Sequence, residues 1–320
     1  MCYGDFQLIK ENYPNNFEEF LERFQTEDDC LEYIEQIRWP EEFKCSKCQW
    51  TKAWKTSRGL LHCSNCGHDT SITAGTVFEN TRKPLRLWFH VMWLMMSQKT
   101  GVSAKNLKEV MGFGSYQTIW GWLHKFRSVM IRPDREKLSG TIEVDDTYIG
   151  GKEKKKRGRG VQNKVLIVVA VEGVEEKLGR VRFRCIKDAS SESLIPFVCD
   201  NVVPGSKVIT DGWSGYNPLN NKGFIHEIKT VKGSGGQGSD LLPYVHLVVT
   251  LLKRWLRGTH QGAVRPEHLE DYLNEFAFRF NRRMSTHRGK LFYRLMQQAV
   301  SNRTPGIKDF YKNRYRYHNR

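Results

Sequence analysis

The chain has 320 residues, enough for two or three domains that each bury a core of their own. Its formal charge is +16 but uneven: residues 1–44 hold 12 Asp and Glu against 4 Lys and Arg, which leaves +24 on the remainder. The composition excludes a mainly disordered chain, the most apolar run (Leu87 to Met96) is too short to span a bilayer, and the basic surplus points to a polyanionic partner such as nucleic acid.

The first residues lack a basic start followed by an apolar stretch, so no secretory signal is expected and the protein is read as cytosolic. Phe17, Phe20, Leu21 and Phe24 at helical spacing predict a short amphipathic helix in an acidic N-terminal segment, 1–40. A second helix is expected from Glu27 to Ile37, ended by Trp39-Pro40, because a residue before proline avoids the helical region.

A Cys-rich module follows, taken as 41–80. Cys45-Ser46-Lys47-Cys48 and Cys63-Ser64-Asn65-Cys66 are separated by 14 residues. Two residues between cysteines let a tight turn aim both sulfurs at one tetrahedral ion, and the gap suits a β-hairpin that brings the second turn beside the first. A redox dithiol needs only one such pair, so a structural zinc held by Cys45, Cys48, Cys63 and Cys66 is expected. Cys2, Cys30, Cys185 and Cys199 lack this spacing and read as ordinary thiols, and His62 and His68 read as bystanders. Lysines crowd the ribbon around Trp50 and Trp54, a mixture that favours nucleic acid unless the two indoles form the module's small core.

Residues 81–135 read as a helix-turn-helix: a helix from Leu85 to Met96, a second capped by Ser103, a turn at Met111 to Gly114 and a third capped by Ser115. Ile119, Trp122, Leu123 and Phe126 give the third helix its buried side, with Lys125 and Arg127 expected to reach DNA phosphates. From Thr141 the texture becomes α/β, over a domain taken as 138–300. Strands are expected at Thr141 to Gly150, Val165 to Val171, Arg180 to Ile186 and Lys207 to Thr210, with a helix at Ser191 to Asn201, in a mixed central sheet. Loops are expected at Lys152 to Gly160 and Gly233 to Ser239, helices at Leu241 to Arg257 and Pro266 to Arg283, and a basic tail at 301–320.

Glu143-Val144-Asp145-Asp146 within one strand and Thr210-Asp211-Gly212 at the end of another could share divalent cations, an arrangement suited to phosphodiester displacement. By spacing alone, surface acids of an α/β domain explain them better, because Asp at strand ends is common.

The motifs resemble those of the insertion-sequence-1595, or ISXO2-like, family of bacterial transposases. The matching runs are Cys45 to Cys66, Thr73 to Phe78, Glu143-Val144-Asp145 with Thr147 to Gly151, and Thr210-Asp211-Gly212 with Tyr216. They continue with Leu252 to Leu256, Gly258-Thr259-His260, and Tyr272-Leu273 through Arg283. The resemblance implies a ribonuclease-H-like catalytic domain with an Asp-Asp-Glu or Asp-Asp-Asn site for magnesium or manganese. It implies Asp145 and Asp211 as ligands, with Asp146 where the family usually has Glu, and Lys253 near DNA phosphates. Arg254, Arg282 and Arg283 lie in the matching segments as further DNA contacts. It also implies double-stranded DNA, both element ends and target, as partner, a homodimer or larger synaptic complex, no membrane, and a place at the bacterial nucleoid. The departure is Leu251, where the family usually has Asn or Glu: either this copy is catalytically impaired, or His246, Glu270 or Glu275 substitutes. The alternatives are therefore a decayed copy that only binds DNA, or a structure-specific nuclease.

Overall fold

The computed structural model describes residues 13–132, 134–150, 164–174, 177–230, 241–262 and 264–302. The loops expected at Lys152 to Gly160 and Gly233 to Ser239 and nearly all of the basic tail lie outside the described residues. The chain forms two compact units: one runs to Val129 and resumes at Ser285, the other runs from Met130 to Met284. No described helix is long and apolar enough to cross a membrane.

In the first unit, α1 (Phe17–Arg23) starts where the Asn16 side chain accepts the Glu19 N–H at 2.9 Å. A reciprocal Thr26–Asp29 capping box opens α2 (Glu27–Arg38). Their apolar faces meet α3 (Leu85–Ser97) and the last helix, Arg288–Ser301, in an aromatic cluster: Phe20 against Trp93 at 4.7 Å, Phe24 against Phe89 at 4.9 Å, and Phe292 beside both pairs. Residues 13–40 of the acidic N-terminal segment are thus built into this unit. The last helix, expected inside the C-terminal domain, packs here too. Gly289 explains how closely it approaches, since a Cβ there would fall 1.5 Å from the Pro14 carbonyl oxygen. Between these helices lies a three-stranded meander, β1 (Ala53–Lys55), β2 (Leu61–Cys63) and β3 (Asp69–Thr70). Helices α4 (Ala104–Val110) and α5 (Tyr116–Ser128) follow α3, with Ser103 and Ser115 capping as expected.

The second unit is a five-stranded mixed sheet, order β6-β5-β4-β7-β8. Strands β4 (Thr141–Gly150), β5 (Lys164–Val174) and β6 (Lys177–Ile186) are antiparallel, whereas β7 (Lys207–Thr210) and β8 (Ile225–Ile228) run parallel to β4. Strand β5 is buried on both faces, which is why its sequence is an unbroken apolar run. One face carries α6 (Ser191–Asn201) and a 3-10 helix (Ser214–Lys222); the other carries α7 (Pro243–His260) and α8 (Leu269–Phe280). A single helix had been expected across 266–283; the structure has a short 3-10 turn, Pro266–His268, before α8.

Candidate functional site

Strand alternation sorts the carboxylates. Ile142 and Val144 of β4 enter the α6-side core, so Glu143, Asp145 and Thr147 face α7. On β7, Val208 enters the α6-side core and Ile209 the α7-side core, so Asp211 returns to the α7 face. Glu143 is paired with Ile209 in the parallel register; carried two residues on, that register brings Asp145 of β4 and Asp211, just past the end of β7, to the same height on the same face. Burial pushes the Asp145 carboxyl up to about 7, against the pull of the Asp146 N–H that it accepts at 2.8 Å; the charges of Asp211 and then Asp146 raise it further. Part-buried Asp145, with exposed Asp211 close enough to disfavour its ionisation, makes a hard-cation donor set, and a divalent ion would relieve the repulsion.

Asp211 is aimed by its own turn. Its Oδ1 accepts the Trp213 N–H at 3.0 Å, and Gly212 takes φ 88°, where a Cβ would come 2.8 Å from Ile228 Cγ2. Asp146, expected in the same site as Asp145, alternates to the α6 face. There its charge is the strongest of three carboxylates acting on Tyr216, whose ring is fully buried and whose hydroxyl has no hydrogen-bond partner among the described residues.

Glu143 does other work. It is almost fully buried, and its Oε2 accepts the Val245 N–H at 3.0 Å; the Tyr244 N–H also donates to this carboxylate. These are first-turn donors of α7, a helix whose own N-cap residue, Leu242, offers no side-chain cap. Eight residues further along α7, Lys253 Nζ donates to Thr147 Oγ1 at 3.2 Å. Two rungs therefore lay α7 along β4, with Asp145 between them. Burial lowers the Lys253 pKa, as do Arg257 and Lys164, while Asp145 opposes this. Thr250, Lys253, Arg254, Arg257 and Gly258 line an open, basic cavity of about 530 Å3 beside this face. Arg257 was not singled out from sequence, although its i+4 spacing from Lys253 could have indicated it. Replacing Glu143 with Ala leaves those two helix donors unsatisfied and is expected to cost about 2–4 kcal/mol in denaturant unfolding, against less than half of that for Glu143→Gln. Equal losses from the two variants would refute the capping role.

Of the residues weighed as substitutes for the third ligand, Glu270 and Glu275 are engaged elsewhere. Leu251 packs against the α7-side core. Glu270 accepts the Cys185 N–H of β6 at 3.0 Å, and Glu275 is fully buried and lies 3.9 Å from Arg279. His246 acts on Glu143, at the start of α7.

Several expected DNA contacts are placed otherwise. Lys125 is 8% exposed, its Nζ donating to the Val77 carbonyl beneath Trp88, and Arg127 is 1% exposed, so neither offers its charge to solvent. Residues 121–127 of α5 are all buried, and the helix is open only near its first turn, at Tyr116 and Gln117. Arg283 donates to the carbonyls of Leu178, Gly179 and Phe280, while the Asn281 amide exchanges hydrogen bonds with both backbone groups of Val181. Arg282 lies over the Phe278 ring and donates to the Phe278 carbonyl. Asn281 and Arg283 thus cover part of the edge of β6, which would otherwise present unpaired backbone groups. Of the arginines named from sequence, Arg254 stands exposed next to Lys253 in the chain.

In the first unit the four cysteines meet as spaced. Their Sγ atoms all lie within 4.8 Å of one another, with Cys45 to Cys66 at 3.7 Å and Cys48 to Cys63 at 3.5 Å. Tetrahedral zinc with bonds of about 2.3 Å needs sulfurs roughly 3.8 Å apart, so the cluster fits a structural zinc. The Trp50 N–H, aided by Asn65, draws Cys48 down to about 6, the direction that favours the thiolate. His62 is held by Asp69 at 2.7 Å, away from the ligand role. Trp50 and Trp54 are 46% and 55% exposed, which rules out their serving as the module's core.

Residues 137–281 match the ISXO2-like transposase domain and residues 25–69 the transposase zinc-ribbon domain. The chain is also 25% identical over 283 residues to an uncharacterized protein in transposable element ISH50 of Halobacterium salinarum, covering 81% of this chain and 92% of that protein.

Proposed function

The chain belongs to the ISXO2-like, insertion-sequence-1595 transposases, and from that premise we propose that it binds the terminal inverted repeats of its element and carries out metal-dependent strand cleavage and transfer. The observation that carries the reading is the alignment of Asp145 and Asp211 at one height on one sheet face, with the Asp145 carboxyl pushed up in pKa, beside Lys253 and a basic cavity. The sheet order and the acids on its two central strands support a ribonuclease-H-like fold for the catalytic domain. Magnesium or manganese held by Asp145 and Asp211 would supply an activated oxygen nucleophile and charge neutralisation at the scissile phosphate. Lys253, fixed by Thr147, would hold a phosphate oxygen next to the acids, and Arg254 and Arg257 would continue the phosphate track. In the first unit, the exposed tryptophans of the ribbon and the open first turn of α5 would read the DNA ends, with the assembly a dimer or larger.

Leu251 favours a second reading, a copy that binds DNA without cutting it, because an aliphatic side chain seated in the core supplies neither a ligand nor a water contact. The test is strand transfer by the purified full chain in magnesium, on labelled ends from the flanking repeats, for wild type, Asp211→Ala and Leu251→Asn. Wild-type activity abolished by Asp211→Ala supports the working transposase. A silent wild type awakened by Leu251→Asn supports the binding-only copy. Cutting without joining, on DNA that lacks defined ends, would point to a nuclease and overturn both.

A further inference from the structure

On the α6 face of the second unit, away from the carboxylate pair, lies a cavity of about 200 Å3. Its walls come from the chain entering β4, from edge strand β6 and from the end of α6. Arg132, Arg135, Lys137, Arg182 and Arg184 line it, against only two carboxylates, Glu136 and Asp200. Both carboxylates are committed: Asp200 meets Arg184 at 2.9 Å, and Glu136 turns outward to Arg180 at 3.1 Å. Val181 enters the α7-side core, so alternation along β6 points Arg182 and Arg184 to this opposite face.

Arg182 is the unusual member. It is 5% exposed, yet among the described residues no carboxylate lies within ion-pair distance of it. Its terminal nitrogens reach only backbone carbonyls, Val181 at 3.0 Å and Glu136 at 2.8 Å, and its Nε has no partner among the described residues. Burial, together with Arg135 and Arg180, presses its pKa down to about 10, although the Glu172 carboxylate, itself bound to Arg180, pulls the other way. A buried guanidinium among further cations, with no directly paired carboxylate among the described residues, is costly unless an anion completes the site. Arg135, steadied by Asn201 at 2.9 Å, and Lys137, steadied by the Cys199 carbonyl at 2.7 Å, hold their charges at the rim.

We infer that this arginine pocket is a phosphate-binding site, taking a backbone phosphate of a DNA segment other than the one at the carboxylate pair. Planar guanidinium forks match phosphate oxygens, and several around one cavity favour a multiply accepting anion over a single carboxylate. The preference for phosphate stands on the pocket; its coming from DNA rests on the transposase reading. Strand β6 is the sheet edge, two strands from β4. A duplex held here would lie on the opposite face from the reacting strand, as a second DNA segment in a joining reaction must lie apart from the first.

The test uses the full chain with its zinc, in two binding arms and with strand transfer as a third readout. Thermal unfolding is followed with and without inorganic phosphate, and binding of a short duplex is titrated across salt concentrations. The variants are Arg135→Gln, which leaves the buried residue in place, and Arg182→Lys, which keeps the charge but loses the fork. Phosphate is expected to raise the wild-type unfolding temperature and to lose that effect in both variants. Duplex affinity should fall about tenfold in Arg135→Gln, with the salt dependence shallower by roughly one counterion. Absence of any phosphate effect on the wild type, with wild-type duplex binding by both variants, would overturn the inference. Loss of phosphate protection with duplex binding untouched would overturn the DNA source and leave a free phosphate as ligand. Strand transfer lost in Asp211→Ala but unaffected in both pocket variants would overturn the DNA source of the phosphate while leaving the transposase reading intact.

Discussion

Asp145→Asn is expected to lower magnesium-dependent strand transfer at least a thousandfold, about 4 kcal/mol of transition-state stabilisation, while end binding stays within a few fold of the parent. The comparison is made in whichever background is active, wild type or Leu251→Asn. The reason is geometric: Asp145 and Asp211 are the two carboxylates that register and alternation bring to one height on one face, and an amide neither balances the charge of the ion nor replaces a carboxylate ligand. A second readout does not depend on turnover. In the metal-free protein the Asp145 carboxyl sits at about 7, against roughly 3.9 for an unfolded aspartate. Between those values the folded state holds the extra proton, so this group's contribution to stability grows as pH falls from about 7 towards 4 and shrinks as pH rises through 7. Magnesium binds the ionised form, so its stabilising effect should be strong at pH 8 and fade below pH 7. Asp145→Asn should abolish both trends. Magnesium protection of the variant equal to that of the parent would remove Asp145 from the metal site.

Stripping zinc is expected to unfold the ribbon and, with it, end binding. Few ribbon side chains are fully buried, among them Cys45, Leu61, Cys63 and Thr70, too small a core to hold three short strands. Metal binding to such modules contributes about 10–16 kcal/mol of apparent free energy at neutral pH, which here is folding free energy. A strong thiol-competing chelator, or Cys63→Ser, should release one zinc per chain, make the remaining cysteines reactive to alkylation and weaken duplex binding by two orders of magnitude or more. The acid-face unit should keep its unfolding transition, because its cores share no residue with the ribbon. A zinc-free protein with four protected cysteines and full DNA binding would contradict the assignment.

What was legible in the sequence is what local chemistry decides. Cys-x-x-Cys turns announce a tetrahedral ion wherever they fold, serine caps mark α4 and α5, and the β-branched run of β5 announces a strand buried on both faces. The family motifs placed Asp145 and Asp211, and strand alternation then required them to share a face once β4 and β7 proved to be parallel neighbours. What tertiary structure alone decided is which charges are spent on architecture. Glu143 sits two residues from Asp145 in the same motif, yet caps α7, because that helix begins without a capping side chain of its own. Arg283 and Asn281 carry the look of a DNA-binding run and instead cover the edge of β6. Lys125 and Arg127 fall at positions on α5 that the surrounding protein closes, and helical periodicity cannot foresee that closure. The arginine pocket joins residues nearly 70 positions apart, and no local pattern signals it. Spacing along a chain determines which groups can meet an ion through one turn or one strand; the fate of an isolated charge depends on what packs against it, and that is settled only when distant elements come together.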